Sequence, residues 1–145
     1  MHGDKMRVPL EAKYLEALGR AVYVFAALEW NVVGCCERIK PDCINKISEL
    51  TSGKISKVFN NLLDDIQDES TRLIAITLAA WFADLVKKRG GINHGKPGMG
   101  EDGGQQLFRF GKPWLIPELE QVTDEFAACG GWFNDLLNDH LRGSR

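Results

Sequence analysis

The chain has 145 residues, of which 44% are hydrophobic and 26% are charged, and its formal net charge is -2. These values predict one globular domain over residues 1–145 with a hydrophobic core of its own. So small a net charge excludes a surface that attracts nucleic acid everywhere, and such a partner would have to meet a local basic patch.

The sequence shows no membrane-spanning or secretion pattern. Residues 1–8 are polar and charged and lack the apolar core of a signal peptide, so we expect a flexible tail there. The apolar run over residues 73–86 is too short to cross a bilayer and contains Asp84. A cytoplasmic protein without a membrane partner is expected.

The first part of the chain predicts two helices. Apolar residues recur at spacings of three and four over residues 10–39, which indicates one long amphipathic helix ended by Lys40-Pro41. Asp42 is then expected to cap a short helix that runs to Leu50. Residues 51–53, Thr-Ser-Gly, predict a break in the chain.

A third helix and a central fourth helix are predicted next. The third follows from the apolar stripe over residues 55–66, and Asp68 or Ser70 is placed to open the fourth. Because residues 73–86 are apolar nearly all round, the fourth helix is expected to be a central, buried helix. Residues 87–89, Lys-Lys-Arg, fall in its last turn, where the helix dipole favours cations.

The remaining segment combines a glycine-rich loop with a last helix. Residues 90–104 hold seven of the 15 glycines, and residues 107–110 predict a short strand ended by Lys112-Pro113. Pro117 is expected to begin the last helix, whose Gly130-Gly131 pair requires close packing or a kink. The predicted fold is therefore an all-α bundle of four to five helices with a glycine-rich loop or short hairpin excursion before the last helix.

The cysteines lack the spacing of a metal site. There is no Cys-x-x-Cys pair, and no histidine lies near the first three cysteines. We expect buried or partly buried reduced thiols, and neither a metal nor a cofactor is predicted. The four positions are Cys35, Cys36, Cys43 and Cys129.

The most informative pattern is Arg89 followed by His94 where the apolar helix is expected to end. Arginine binds phosphate through a planar fork, and histidine can exchange a proton near neutral pH. RNA carries its own nucleophile in the 2′-hydroxyl group, so cleavage of RNA by these side chains requires no metal. One chain offers one well-placed histidine, whereas in-line cleavage needs an acid and a base, and a twofold dimer would supply both.

An Arg-x4-His motif at the end of a buried helix in an all-α domain resembles the HEPN superfamily (higher eukaryotes and prokaryotes nucleotide-binding domain). Further similarity lies in residues 28–30, Leu-Glu-Trp, on the first helix. It also lies in residues 94–97, His-Gly-Lys-Pro, which are followed by Asp-Gly at residues 102–103.

The resemblance implies a homodimer whose facing motifs form a metal-independent endoribonuclease site. Arg89 would bind and stabilise the scissile phosphate, and His94 would act as general acid or base. It also implies a toxin–antitoxin or antiphage role, with a nucleotidyltransferase-like antitoxin as a possible partner.

Several other residues are candidates for the same site. Asn93 would supply a polar group beside His94, and Glu29 would orient Arg89 or His94. For Phe110 and Trp114, whose rings could stack on a base, core packing is the favoured interpretation. A basic rim around His94 is expected to contact RNA, and its members are Lys87, Lys88, Lys96, Arg109 and Lys112.

The sequence is also consistent with two other functional interpretations. Gly90 stands where the family usually has a polar residue, which favours a non-catalytic dimer that binds a nucleotide, RNA or a protein. In a purely structural interaction protein, Arg89 would be a helix-end cation and His94 a loop residue.

Overall fold

The computed structural model describes residues 11–101 and 103–141. The predicted tail over residues 1–8 lies outside this range. Within it, the chain forms five α-helices and three β-strands, which confirms the predicted helical bundle and adds a small sheet. In chain order these are α1 (Ala12–Ile39), α2 (Ile44–Ile47), α3 (Ser52–Leu62), α4 (Glu69–Asn93), β1 (Lys96–Met99), β2 (Gln105–Arg109), β3 (Lys112–Pro113) and α5 (Ile116–Asp135).

The four longer helices form the bundle, in which α1 packs most extensively against α5 and also against α3, while α4 packs against α3 and α5. Phenylalanine rings join the helices at the centre. The ring of Phe25 stacks on Phe82 with centroids 6.1 Å apart and meets Phe126 edge-on at 5.0 Å. Phe133 contacts Phe59 and Phe82 at 5.3 and 5.9 Å. Pairs of this kind contribute beyond the area they bury.

The glycine pair in α5 is resolved by close packing. Gly130 is buried, and a Cβ there would lie 3.6 Å from Cα of Leu28. Nδ2 of Asn31 donates to the Gly130 carbonyl at 3.0 Å. The helix continues through both glycines to Asp135, so α1 approaches α5 closely at this point.

Helix α4 departs from its prediction in two ways. It is not buried on all sides, since Leu73 and Ile76 are 58% and 45% exposed. The reason is that its neighbours cover one face only. The helix also does not end near Arg89 but continues to Asn93, with the His94 N–H donating to the Gly90 carbonyl at 2.9 Å.

The caps of α2 and α4 also differ in how well the sequence predicts them. Asp68 caps α4 as expected, and its carboxylate accepts from the Thr71 N–H at 2.9 Å. The prediction that Asp42 caps the short helix is wrong, because Asp42 has a φ of 73° and Cys43 occupies the cap position. The carboxylate of Glu37 instead accepts from the backbone N–H groups of residues 42–44 at 2.8 to 3.0 Å.

The three strands form an antiparallel sheet in the order β1-β2-β3. Tyr14 of α1 fastens it to the bundle, because its hydroxyl donates to the Trp114 carbonyl at 2.6 Å and accepts from the Leu107 N–H at 3.0 Å. Burial raises the pKa of this hydroxyl, which keeps it neutral and able to donate. Nε1 of Trp114 donates to the Gly91 carbonyl at 3.2 Å, so the sheet also rests on the end of α4.

None of the helices in the described part of the chain is long and apolar enough to cross a membrane.

Candidate functional site

Arg89 lies in the next-to-last turn of α4 and is held from two sides. Its Nη1 donates to Oγ of Ser52 at 2.9 Å. The amide of Asn93, oriented with its oxygen toward the guanidinium, accepts from Nε at 3.1 Å and from Nη2 at 3.2 Å. These contacts fix the plane of the guanidinium group.

The hydroxyl of Ser52 connects Arg89 to Glu29. It donates to Oε2 of Glu29 on α1 while it accepts from Arg89. Ser52 is buried and lies in the first turn of α3. The predicted association of Glu29 with Arg89 is thus present as an indirect contact through a side chain on a third helix.

An aromatic ring lies beneath the guanidinium. Cζ of Arg89 is 5.0 Å from the ring centroid of Phe25, within the range of a cation–π contact. Phe25 is fully buried and packs on Phe82, so the cation rests on the rigid centre of the bundle. Its position is therefore set by α1, α3 and α4 together.

Arg89 has N–H groups left with which to bind an anion. The contacts to Ser52 and Asn93 use three of the five N–H groups of a guanidinium. Among the described residues, no carboxylate lies within ion-pair distance of it; the ion pairs found there are Arg20–Glu16 and Lys88–Glu125. A half-buried guanidinium with fixed orientation and no ion-pair partner is suited to a phosphate group.

His94 caps the C-terminal end of α4, and its side chain is exposed. It lies five positions after Arg89, which on a helix corresponds to a rotation of about 140°. No hydrogen bond joins its imidazole to another residue of the described chain. The structure therefore brings Asn93 and Glu29 to Arg89, whereas His94 stands apart at the helix end and is accessible.

The predicted basic rim divides into two groups. Nζ of Lys88 pairs with the carboxylate of Glu125 at 2.9 Å on the α5 side, and Lys87 is exposed on another face of α4. Lys96, Arg109 and Lys112 lie together on the sheet, because Lys96 is level with Phe108 and Arg109 pairs with Lys112. The second group follows His94 along the chain.

The two candidate aromatic residues, Trp114 and Phe110, differ in solvent exposure. Trp114 is partly buried against Gly91, where a Cβ would come within 3.3 Å of its ring, so core packing holds for this residue. The same interpretation is wrong for Phe110, which is 88% exposed. Phe110 occupies a turn, not the strand predicted for it.

All four cysteines are buried, as the sequence predicts. Burial raises the pKa of Cys36 to about 12 and that of Cys129 to about 12. Protonated thiols of this kind are poor nucleophiles and poor metal ligands. Among the residues that the structure describes, no three of the His, Cys, Asp and Glu side chains are grouped as metal ligands would be.

Ser52 belongs to the site but is not among the residues that the sequence predicts for it. Residues 51–53 are predicted to be a break, yet Thr51 is the N-cap of α3 and Ser52 is helical. A usable signal was present, because a Thr or Ser directly before an apolar stripe is typical of a helix start. No local pattern, however, indicates that this hydroxyl would reach Arg89 from 37 positions away.

Comparison with protein-family models, with curated proteins and with solved structures finds no match to this chain.

Proposed function

We propose that this chain is a metal-independent endoribonuclease of the HEPN type that acts as a homodimer in the cytoplasm. The observation that carries the proposal is the oriented Arg89 guanidinium, which lacks an ion-pair partner among the described residues, close in sequence to the exposed His94. A toxin or defence role, with a nucleotidyltransferase-like antitoxin, belongs to the same proposal through the resemblance.

In the proposed reaction, the 2′-hydroxyl oxygen of RNA attacks the adjacent phosphorus and the bond to the 5′ oxygen breaks. A base removes the proton of the 2′-hydroxyl, and an acid protonates the departing 5′ oxygen. Arg89 stabilises the negative charge that builds on the phosphate oxygens. The products are a 2′,3′-cyclic phosphate and a 5′-hydroxyl group.

A dimer supplies the second histidine that this scheme needs. Because Arg89 and His94 leave α4 in different directions, an Arg89 from one protomer and a His94 from its partner are easier to bring together than the pair within one chain. An apolar surface borders the site. Leu15, Val22 and Glu29 follow one another at intervals of seven residues and so share one face of α1. Leu15 is 55% exposed and Val22 is 50% exposed.

The first experiment is digestion of RNA in EDTA, with analysis of the fragment ends. We expect wild-type protein to release 2′,3′-cyclic phosphate ends and His94→Ala to cleave about 10² to 10⁴ times more slowly. His140→Ala is the matched control, because His140 is also exposed but lies beyond α5. Equal cleavage by wild type and His94→Ala, or intact RNA in every lane, would contradict the proposal.

The composite site has its own test. Because the scheme uses both copies of His94 in one site, a mixed dimer of one wild-type and one His94→Ala protomer should lose cleavage. We expect an excess of His94→Ala protomers to lower the cleavage per wild-type chain, and unchanged cleavage per wild-type chain would place the whole site in one protomer. Val22→Glu should give monomers in sedimentation and lose cleavage, whereas Leu73→Glu, at an exposed apolar position on α4, should do neither.

One observation favours a second function, the non-catalytic dimer that binds a nucleotide, RNA or a protein. Ser52 and Asn93 already engage three N–H groups of Arg89, as expected of a residue that also holds helices together. Under this reading RNA stays intact but binds, and Arg89→Ala weakens the binding.

A further inference from the structure

The tip of the β2–β3 hairpin has a residue that folding does not explain. Arg109 pairs with Lys112, which leaves Phe110 and Gly111 as a two-residue loop. Both have positive φ angles, 53° and 79°, as in the hairpin turns that favour Asn-Gly. A bulky side chain is uncommon in that conformation, and Phe110 gains no burial there because it is 88% exposed.

Three cationic residues lie at this end of the sheet. Cζ of Arg109 lies 4.4 Å from the ring centroid of Phe110. Lys112, on the other side of the turn, and Lys96, at the start of β1, are both exposed. Among the described residues between β1 and β3, the acidic one is Glu101. It lies just after the end of β1, at the opposite end of the sheet. The Phe110 end is therefore basic, while the far end is not.

The strand register puts the hairpin tip at the same end of the sheet as the start of β1. Lys96 is level with Phe108 in the β1–β2 pair. His94, the cap residue of α4, lies two residues before Lys96, and Phe110 lies two residues after Phe108 in the turn. The exposed ring, the cations and the imidazole thus lie at one end of the sheet.

We propose that Phe110 stacks on a base of a single-stranded nucleic acid, with Arg109 on the ring and Lys112 near the backbone phosphate. Stacking on aromatic side chains combined with cations is how proteins hold single strands without reading their sequence. The choice of RNA as the natural ligand rests on the proposed function. The strained turn then serves to present the ring away from the bundle.

The test is binding of a fluorescein-labelled 2′-O-methyl oligouridine, measured by anisotropy. This probe lacks free 2′-hydroxyl groups and cannot be cleaved, so binding is separated from catalysis. Phe110→Asn provides the favoured turn residue and removes the ring. We expect its affinity to be about 5- to 100-fold lower than that of the wild type, while its melting temperature is equal or higher.

Two variants serve as controls. Phe110→Tyr keeps the ring and should bind like the wild type. Tyr23→Ala removes another exposed aromatic side chain, 76% exposed on α1, and should also bind like the wild type. Equal affinity of Phe110→Asn and wild type, equal losses in Phe110→Asn and Tyr23→Ala, or no oligonucleotide binding at all would overturn the inference.

The result also separates this inference from the proposed function. Binding that depends on Phe110 in a protein that cuts no RNA would support the inference and contradict the endoribonuclease. RNA cleavage with oligonucleotide binding unaffected by Phe110→Asn would do the reverse. Sedimentation with phosphatidylserine vesicles tests whether the tip binds a lipid surface instead. Phe110-dependent vesicle binding without oligonucleotide binding would overturn the inference.

Discussion

The helical bundle and the three-stranded sheet are held in place by different kinds of contact. The bundle closes around fully buried rings, with Phe25, Phe82 and Phe133 touching across three helices. No residue of the three strands is fully buried. The sheet is attached by hydrogen bonds of the Tyr14 hydroxyl and of Trp114, together with the partly buried Leu107, which packs against the core.

Buried contacts therefore stabilise the bundle, whereas the sheet presents side chains at the end of α4. Close packing of buried rings makes the bundle rigid, whereas a few directed hydrogen bonds fix the sheet in one place on the helix end. The guanidinium of Arg89 belongs to the bundle and the ring of Phe110 to the sheet. The two groups invoked in the proposals thus lie on a rigid part and on a part that can be loosened separately.

The largest effect is expected from Phe82→Ala, which opens a cavity at the centre of the bundle. Phe82 is fully buried and contacts the rings of Phe25 and Phe133. We expect a loss of about 3–5 kcal/mol in the free energy of unfolding, measured by urea denaturation followed by circular dichroism. A loss below about 1 kcal/mol would show that the rings are not the main source of stability.

Tyr14→Phe tests the attachment of the sheet. The variant keeps the buried ring but leaves the Leu107 N–H and the Trp114 carbonyl without this partner. We expect a loss of about 1–3 kcal/mol, smaller than for Phe82→Ala. Hydrogen exchange should increase in residues 96–113 more than in α1 or α5. Uniform acceleration over the whole chain would contradict the separation of the two regions.

Asp68 makes the bundle sensitive to acid at the far end from the sheet. Hydrogen bonds from Ser70 and Thr71 lower the pKa of its carboxyl to about 2. The stabilisation is therefore complete above the pKa of the unfolded chain, about 3.9, and is lost as the pH falls toward 2. The advantage in melting temperature of the wild type over Asp68→Asn should shrink as the pH falls through that interval.

The smallest effects are expected where the sheet meets α4. A Cβ at Gly90 meets no atom within 4 Å, whereas one at Gly91 comes within 3.3 Å of the Trp114 ring. Gly90→Ala should stabilise the protein by about 0.5–1 kcal/mol, because alanine is favoured over glycine in a helix. Gly91→Ala should gain less or lose stability. Equal gains from both would show that Trp114 is free to move.

The fold was predictable to different degrees in these two regions. The helices of the bundle follow from apolar spacing, since the residues that pack inward in α1, such as Phe25 and Leu28, recur at helical intervals. Val22 belongs to the same spacing but is half exposed. Spacing predicts which side of a helix is apolar, but it does not predict how much of that side a neighbour covers.

Most of the sheet could not be predicted. Lys96–Met99 and Lys112–Pro113 contain Pro, Gly and Lys, which are depleted in strands, and they become strands by pairing with β2. The site has the same limit, because Arg89, Asn93 and Glu29 could be singled out from local sequence while Ser52 could not. Contacts between helices depend on their tertiary arrangement, which no short motif encodes.

The buried thiols give this chain a built-in chemical reporter. Cys35, Cys36, Cys43 and Cys129 all belong to the bundle or to its α1–α2 connection, and the sheet contains no cysteine. Alkylation of a buried thiol requires an opening that exposes it, so labelling rates count openings of the bundle and are blind to motion of the sheet. A ligand that fastens only the hairpin should leave those rates unchanged, whereas a partner chain docked on α1 should slow them.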